Sequence, residues 1–207
     1  MLKKKVYQQD ADYIKYLIEQ DPKLEKLFQR KKEIIVNVDD DYFVSLANTI
    51  IAQQLSSKVA SVISKRFFDY FNQEVTPENI LNTEDEALRN LGLSYQKITY
   101  IKSLSHAVIS KAVTFENMHK MTDEEIIEML VQIKGIGVWS AQMFLIFSLG
   151  REDVFSVLDL GLRNAVKIIY ENDNLTPKDI ESISEKWAPY RSIVSHFLWH
   201  AWDFESK

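Results

Sequence analysis

The sequence predicts an all-α protein. Apolar residues recur every three or four positions in residues 43–51, 59–67 and 189–203, as on the buried face of an amphipathic helix. Glycine and proline are scarce, with 5 and 4 among 207 residues, which permits long helices and disfavours a turn-rich β-sandwich. No stretch alternates apolar and polar residues between hairpin turns. We therefore expect about ten or eleven helices.

Capping residues mark where several of these helices begin. Thr83 and Thr122 each stand three residues before a glutamate, which is the capping-box pattern. Asp21 and Thr176 each precede a proline, which is favoured at the first helical position. Ser94 is the expected cap of a further helix.

Composition and charge exclude several classes of protein. The absence of cysteine rules out disulfides, thiolate zinc sites, iron–sulfur clusters and cysteine nucleophiles. A net charge of −5 argues against nonspecific coating of nucleic acid, although one positive face is enough for DNA binding. No signal peptide is visible, and no apolar run approaches the roughly 20 residues of a membrane span. We expect a soluble intracellular protein.

The most informative segment is residues 130–141, where one helix runs into Gly135-Ile136-Gly137 and an apolar helix follows at once. Two glycines permit a tight turn and close approach to another surface. Backbone amides at the following helix N-terminus can bind a phosphate, and Lys134 adds positive charge. The alternative is an ordinary helix connection with glycine as its C-cap.

Asp159 precedes the apolar-periodic residues 160–166 and is a candidate N-cap. A carboxylate in that position is kept ionised by the helix dipole and the first-turn amides. An N-cap role and a chemical role are compatible, so both remain open.

Together, these stretches resemble the helix-hairpin-helix and Gly/Pro/Asp signature of DNA glycosylases, most closely the 3-methyladenine DNA glycosylase II branch. The resemblance covers roughly residues 40–203 and is carried by residues 51–56, 133–141, 153–155, 159–162, 187–192 and Trp199. One departure is Ser156-Val157-Leu158, because the family usually has a proline shortly before its catalytic aspartate. We expect one unit over residues 1–207, with two helical lobes sharing a cleft, approximately 40–150 and 1–36 plus 151–207.

The resemblance implies a monofunctional DNA glycosylase that hydrolyses the N-glycosidic bond of alkylated purines, of the 3-methyladenine and 7-methylguanine type, in double-stranded DNA. It would thereby initiate base excision repair. Asp159 would be catalytic, either by stabilising the positive charge that develops on the deoxyribose or by activating water. Trp139 occupies the position of the lysine found in lyase branches, so we expect no lyase activity.

The resemblance also assigns binding residues. Trp139 and Trp199 would form the base pocket, where indole faces attract a cationic purine, and Tyr190 is a weaker candidate. Each could instead be an ordinary core aromatic.

Further residues would contact the DNA backbone or the stacked bases. Tyr95 would enter the gap left by the flipped base, although it could simply be an exposed turn residue. Lys97 would bind a phosphate beside Tyr95, and Gln53 would face DNA near the inserted Tyr95.

The hairpin would bind a monovalent cation through the carbonyls of Val131, Ile133 and Ile136, an expectation that rests on analogy alone. We expect no cofactor, no membrane contact and a monomer. The resemblance places the protein in the cytoplasm with the nucleoid in a prokaryote, or in the nucleus in a eukaryote.

Three alternative functions would account for parts of the sequence. A noncatalytic helix-hairpin-helix module would explain the glycines but leaves Asp159, Trp139 and Trp199 without a role. A metal-dependent hydrolase would use His196, His200 and Asp203, whose spacing allows one helix face, but the usual His-Glu-x-x-His pattern is absent. Adenine-mismatch and thymine-glycol glycosylases commonly carry a four-cysteine cluster, which this chain lacks.

Overall fold

The computed structural model describes residues 3–38 and 40–205, except the side chains of residue 57 and residues 202–205. Within these ranges the chain forms twelve α-helices, two short 3₁₀ turns and one two-stranded sheet. The predicted all-α class is confirmed. No helix in the described ranges has both the length and the apolar character of a membrane span.

The chain divides into two compact units, residues 41–144 and residues 1–40 with 145–207. The second boundary falls inside a helix, whereas we expected it after residue 150. Each unit is therefore described by itself.

Helices build the unit of residues 41–144. They are α3 (Tyr42–Ala52), α4 (Ser57–Tyr70), α5 (Pro77–Leu81), α6 (Asp85–Asn90), α7 (Tyr95–Ile109), α8 (Asp123–Leu130) and the start of α9 (Val138–Phe147). α7 packs against α3, α5 and α6. It does so because Ile98, Ile101 and Leu104 recur at helical spacing and are all buried.

The other unit combines helices with the small sheet. Its elements are β1 (Lys3–Gln8), α1 (Asp12–Gln20), α2 (Glu25–Gln29), β2 (Glu33–Val38), α10 (Leu160–Tyr170), α11 (Pro177–Glu185) and α12 (Arg191–Glu205). α12 packs against α10 and α2. Its residue Phe197 meets Phe28 edge to face at 4.9 Å between ring centres, and Trp187 is fully buried nearby in the same core.

The antiparallel sheet was not predicted. β1 and β2 pair over their whole lengths, with Tyr7 opposite Ile34. Each strand has one buried residue, Tyr7 in β1 and Val36 in β2. Because so little of either strand is buried, the sequence lacks the alternation by which strands are recognised.

The capping predictions were mostly correct. Thr122 and Thr176 both form reciprocal capping boxes, and Ser94 caps α7. The prediction for Thr83 was wrong, because its hydroxyl donates instead to the carbonyl of Asn79 in the preceding helix. Glu84 then precedes α6 without a side-chain cap.

Candidate active site and nucleic-acid interface

Asp159 occupies the N-cap of α10, as its sequence position indicated. Its Oδ1 accepts a hydrogen bond from the backbone amide of Leu162 at 2.8 Å. The side chain is half-buried. The carboxylate therefore lies at the positive end of a helix dipole.

Trp199 reaches the same carboxylate oxygen. Its indole Nε1 donates to Asp159 Oδ1 at 3.1 Å. The ring of Trp199 packs on Phe147 at 5.2 Å and on His196 at 5.7 Å between ring centres. Two predicted site residues, 40 positions apart in sequence, are thus joined directly, and their contact was not predicted.

His196 belongs to this aromatic cluster rather than to a polar site. It is buried and stacks on Tyr7 at 5.6 Å between ring centres. Burial, with a smaller effect from the Lys5 charge, lowers the pKa of His196 to about 4, so the ring is neutral near pH 7.

Metal binding at residues 196, 200 and 203 gains no support. Among the described residues, no group of three or more histidine, aspartate or glutamate side chains is arranged to hold a metal ion. The ring of His196 stacks on Tyr7, and the side chain of Asp203 lies outside the described residues.

Tyr190 lies elsewhere in this unit. Its ring packs against Tyr13 and Tyr16 of α1, at 5.8 Å between ring centres in both pairs. The packing favours a structural role for Tyr190, and its contact with a base remains a prediction.

The hairpin between α8 and α9 forms at the predicted glycines. Gly135 has a φ of +94°, which side chains rarely adopt. A Cβ there would also lie 2.2 Å from the Tyr100 ring, so Gly135 is required by the fold itself.

Gly137 differs from Gly135 in this respect. Among the described residues, a Cβ on Gly137 would meet no atom within 4 Å of it beyond its immediate chain neighbours. Its carbonyl accepts from Ala141 N at 3.0 Å, which places Gly137 at the start of α9. Gly137 and Lys134 are both exposed. The smallness of Gly137 is therefore not demanded by packing, which fits a position kept open for an external surface.

The predicted cation ligands lie in the same hairpin. The carbonyl of Ile133 accepts from Ile136 N at 3.0 Å, and both side chains are buried. Val131 is exposed. Cation binding through the carbonyls of these three residues remains a prediction.

The side chains of Gln53 and Lys97 form hydrogen bonds to backbone carbonyls within the protein. Gln53 Nε2 donates to the Gly135 carbonyl at 2.8 Å and so holds the hairpin turn. Lys97 Nζ donates to the carbonyl of Ile51 at 2.7 Å, near the end of α3, and burial lowers the pKa of Lys97. The three residues Gln53, Lys97 and Gly135 line one surface pocket of about 190 Å³. Their contacts with DNA remain predictions.

Tyr95 is the first residue of α7 and is 55% exposed. Its hydroxyl donates to Glu86 Oε1 at 2.6 Å, and the Arg89 guanidinium lies 4.7 Å from its ring centre. The hydrogen bond to Glu86 raises the pKa of Tyr95. An exposed aromatic ring held in a defined direction suits the predicted insertion between bases.

Trp139 lies in the first turn of α9 and is 37% exposed. It belongs to the unit of residues 41–144, whereas Asp159 and Trp199 belong to the other unit. A role in the base pocket remains a prediction for Trp139.

Comparison with known proteins agrees with this geometry. The family model for HhH-GPD superfamily base excision DNA repair proteins matches residues 47–190. DNA-3-methyladenine glycosylase 1 of Schizosaccharomyces pombe is 38% identical, over 76% of this chain and 71% of that protein. DNA-3-methyladenine glycosylase of Saccharomyces cerevisiae is 32% identical, over 89% of this chain and 77% of that protein.

Two solved structures share the fold. One is a DNA-3-methyladenine glycosidase from Bacillus halodurans, with a TM-score of 0.87, 34% identity and coverage of 98% of this chain and 94% of that one. The other is a Schizosaccharomyces pombe 3-methyladenine DNA glycosylase in complex with abasic DNA, with a TM-score of 0.75, 32% identity and coverage of 92% and 91%. The protein is thus a helical base-excision repair protein built around a hairpin and a capped carboxylate. The chain belongs to the HhH-GPD superfamily.

Sequence reasoning missed some residues around Asp159. Phe147, which packs on Trp199, carries no signal beyond its place in an apolar helix. Arg191 and Ser192 lie in a stretch that resembled the family, yet no role was assigned to them. That stretch was the available signal.

Proposed function

We propose that this protein is a monofunctional DNA glycosylase that hydrolyses the N-glycosidic bond of alkylated purines in double-stranded DNA, with Asp159 as the catalytic carboxylate. The observation that carries the proposal is the Asp159 carboxylate held at a helix N-terminus by Leu162 N and by the Trp199 indole. Membership of the superfamily and the names of its relatives, which specify 3-methyladenine, support the substrate class.

Hydrolysis of the N-glycosidic bond depends on the charges of the sugar, the base and the carboxylate. When the bond between base and sugar breaks, positive charge develops on the deoxyribose, and an ionised carboxylate near C1′ stabilises it. An N3- or N7-alkylated purine is already cationic and leaves without strong acid catalysis. One carboxylate is therefore sufficient, and it also orients the attacking water.

DNA binding is assigned to the hairpin and to Tyr95. Lys134 and the backbone at Gly135 and Gly137 bind a phosphate, and Tyr95 fills the space of the flipped base. Trp199 and Trp139 contact that base. Because Trp139 stands where a Schiff-base enzyme has lysine, the product is an intact abasic strand.

The proposal is tested by base release from duplex DNA treated with a methylating agent. Wild-type protein should release methylated purines, and Asp159→Asn should lower the single-turnover rate by roughly 100-fold or more while retaining affinity for abasic duplex DNA. Asp179→Asn is the matched control, because Asp179 is also a carboxylate at the start of a helix, in the first turn of α11. It should release bases at the wild-type rate.

Three results would contradict the proposal. Wild-type protein that binds the duplex without releasing any base would indicate a noncatalytic binding module. Full activity in Asp159→Asn would remove Asp159 from the chemistry. Strand cleavage without alkali would overturn the monofunctional assignment.

We propose further that the protein acts as a monomer in the compartment that holds DNA, the nucleoid or the nucleus. One catalytic carboxylate and one hairpin on the same chain support the monomer. Sedimentation at micromolar concentration with and without duplex DNA measures the stoichiometry, and two protein chains per lesion would contradict it.

A further inference from the structure

We infer that Arg191 and Ser192, at the start of α12, are positioning residues that fix the segment of residues 148–159 and so hold Asp159 in its working orientation. The inference rests on the proposed role of Asp159 as the catalytic carboxylate. Residues 148–159 connect α9 to α10 and end at Asp159. They include a glycine and no proline, so their own backbone does little to restrict their conformation.

Ser192 forms buried hydrogen bonds that join the segment to α12. Its hydroxyl accepts from Val154 N at 2.9 Å and donates to Val154 O at 3.0 Å. The backbone amide of Ser192 also donates to the carbonyl of Glu152 at 2.9 Å. Ser192 is completely buried, and Val154 nearly so. Because water cannot readily replace these bonds, their loss leaves buried polar groups unsatisfied.

Arg191 makes a second attachment one residue away. Its Nε donates to Asp153 Oδ1 at 2.7 Å and its Nη2 donates to Oδ2 at 3.0 Å, a two-pronged pair that fixes orientation as well as distance. Its backbone amide also approaches Oδ1 at 3.3 Å. Both side chains are 34% exposed, so this pair contributes less than the buried contacts of Ser192.

The same helix also holds the far end of the segment. Trp199 donates to Asp159 from a position eight residues beyond Arg191, or about 12 Å along the axis of a helix. One rigid element therefore bonds both to residues 152–154 and to the catalytic carboxylate. From β1, Lys5 Nζ adds bonds to the Gly150 carbonyl at 2.7 Å and to Glu152 Oε1 at 2.8 Å. Bonds from α12 and from β1 therefore restrain the conformation of this segment.

The test compares two buried serines of α12. Ser192→Ala removes both hydroxyl bonds to Val154, whereas Ser195→Ala removes a hydroxyl that, among the described residues, bonds to the Arg191 carbonyl within its own helix. The measurements are the single-turnover rate of methylpurine release and the Kd for abasic duplex DNA. We expect Ser192→Ala to lower the rate about 10- to 100-fold, because small misplacement of a catalytic group has effects of that size. Its Kd should change less than about twofold, and Ser195→Ala should change neither quantity by more than that.

A second variant separates positioning from folding. Arg191→Gln breaks the pair with Asp153 at a partly exposed position, so the variant should fold even if Ser192→Ala does not. Its rate should fall by a smaller factor than that of Ser192→Ala, again with little change in Kd. Rates are compared at a temperature at which circular dichroism shows every variant fully folded.

The outcomes distinguish this inference from the proposed function. Wild-type rates in both Ser192→Ala and Arg191→Gln, with Asp159→Asn inactive, would overturn the positioning role alone. A parallel loss of rate and affinity, or an equal loss in Ser195→Ala, would also overturn it, because general disruption would then explain the effect. Full activity in Asp159→Asn would overturn both proposals.

Discussion

At the residue scale, Asp159 combines an observed N-cap role with the proposed catalytic role. As N-cap it accepts from Leu162, and as a site residue it accepts from Trp199, both at Oδ1. The backbone amide of Leu162 and the indole of Trp199 together set the direction of the carboxylate. In the proposed function, capping holds the carboxylate in the orientation in which it would stabilise a cationic sugar.

Trp199→Phe should separate the indole N–H from the aromatic surface. The phenyl ring keeps much of the packing on Phe147 but loses the bond to Asp159. We expect the single-turnover rate of methylpurine release to fall about tenfold or more, as for loss of a hydrogen bond to a charged group. Single-turnover kinetics on methylated duplex DNA measures the effect.

Trp187→Phe is the matched control for this change. Trp187 Nε1 also donates to a carboxylate, Asp21 Oδ2 at 2.9 Å, but in the fully buried core. Its loss should lower the free energy of unfolding by about 1–3 kcal/mol and leave the rate of the folded protein unchanged. Equal rates for Trp199→Phe and Trp187→Phe would argue against a role for the indole bond.

At the element scale, the two glycines of the hairpin serve different purposes. Gly135 is needed because its backbone is left-handed and the Tyr100 ring occupies the space of a side chain. Gln53 then bonds to its carbonyl and fixes the turn. Gly137 begins α9 and faces open space within the described structure. The first glycine builds the turn, and the second leaves it accessible.

Alanine at the two positions should therefore affect different properties, stability at Gly135 and DNA binding at Gly137. Gly135→Ala should lower the free energy of unfolding by more than about 1 kcal/mol, through backbone strain and the clash with Tyr100. Gly137→Ala should change it by less than about 0.5 kcal/mol, as at an ordinary surface position, yet should weaken DNA binding. Urea unfolding and fluorescence anisotropy measure the two quantities. Unchanged DNA affinity in a stable Gly137→Ala protein would argue against phosphate contact at the hairpin.

At the scale of the whole molecule, each unit has its own interior, and neutral His196 is part of one of them. Its ring lies among Tyr7, Phe147 and Trp199. Burial lowers the pKa of His196 to about 4 in the folded protein, against about 6.5 in an unfolded chain. The contribution of neutral His196 to the free energy of unfolding is therefore fully present above pH 6.5. It is lost as the pH falls towards 4, because the imidazole takes up a proton more readily in the unfolded chain.

His196→Phe should remove this part of the acid sensitivity. Between pH 7 and pH 5, the wild-type free energy of unfolding should fall by about 2 kcal/mol more than that of the variant. Urea denaturation at the two pH values measures the difference, and other titrating groups cancel in the comparison. Identical pH dependence in both proteins would show that His196 does not titrate as its burial implies.

The sequence by itself determined the features that depend on near neighbours along the chain. The caps at Thr122, Thr176 and Asp159 each bond to an amide three residues on, so a short pattern was sufficient to find them. The hairpin between α8 and α9 followed from two glycines and their flanks. Failures at this range, such as Thr83, came from a competing partner four residues back.

Only the tertiary structure decided the contacts that join distant segments. The pairing of β1 with β2, the bond from Trp199 to Asp159 and the bond from Gln53 to Gly135 depend on which surfaces meet when apolar side chains are buried. Burial is roughly proportional to area and has no preferred direction, so no local pattern encodes its partners. For the same reason, the sequence indicated Asp159 as the candidate carboxylate, but the tertiary structure determined that Trp199 binds it.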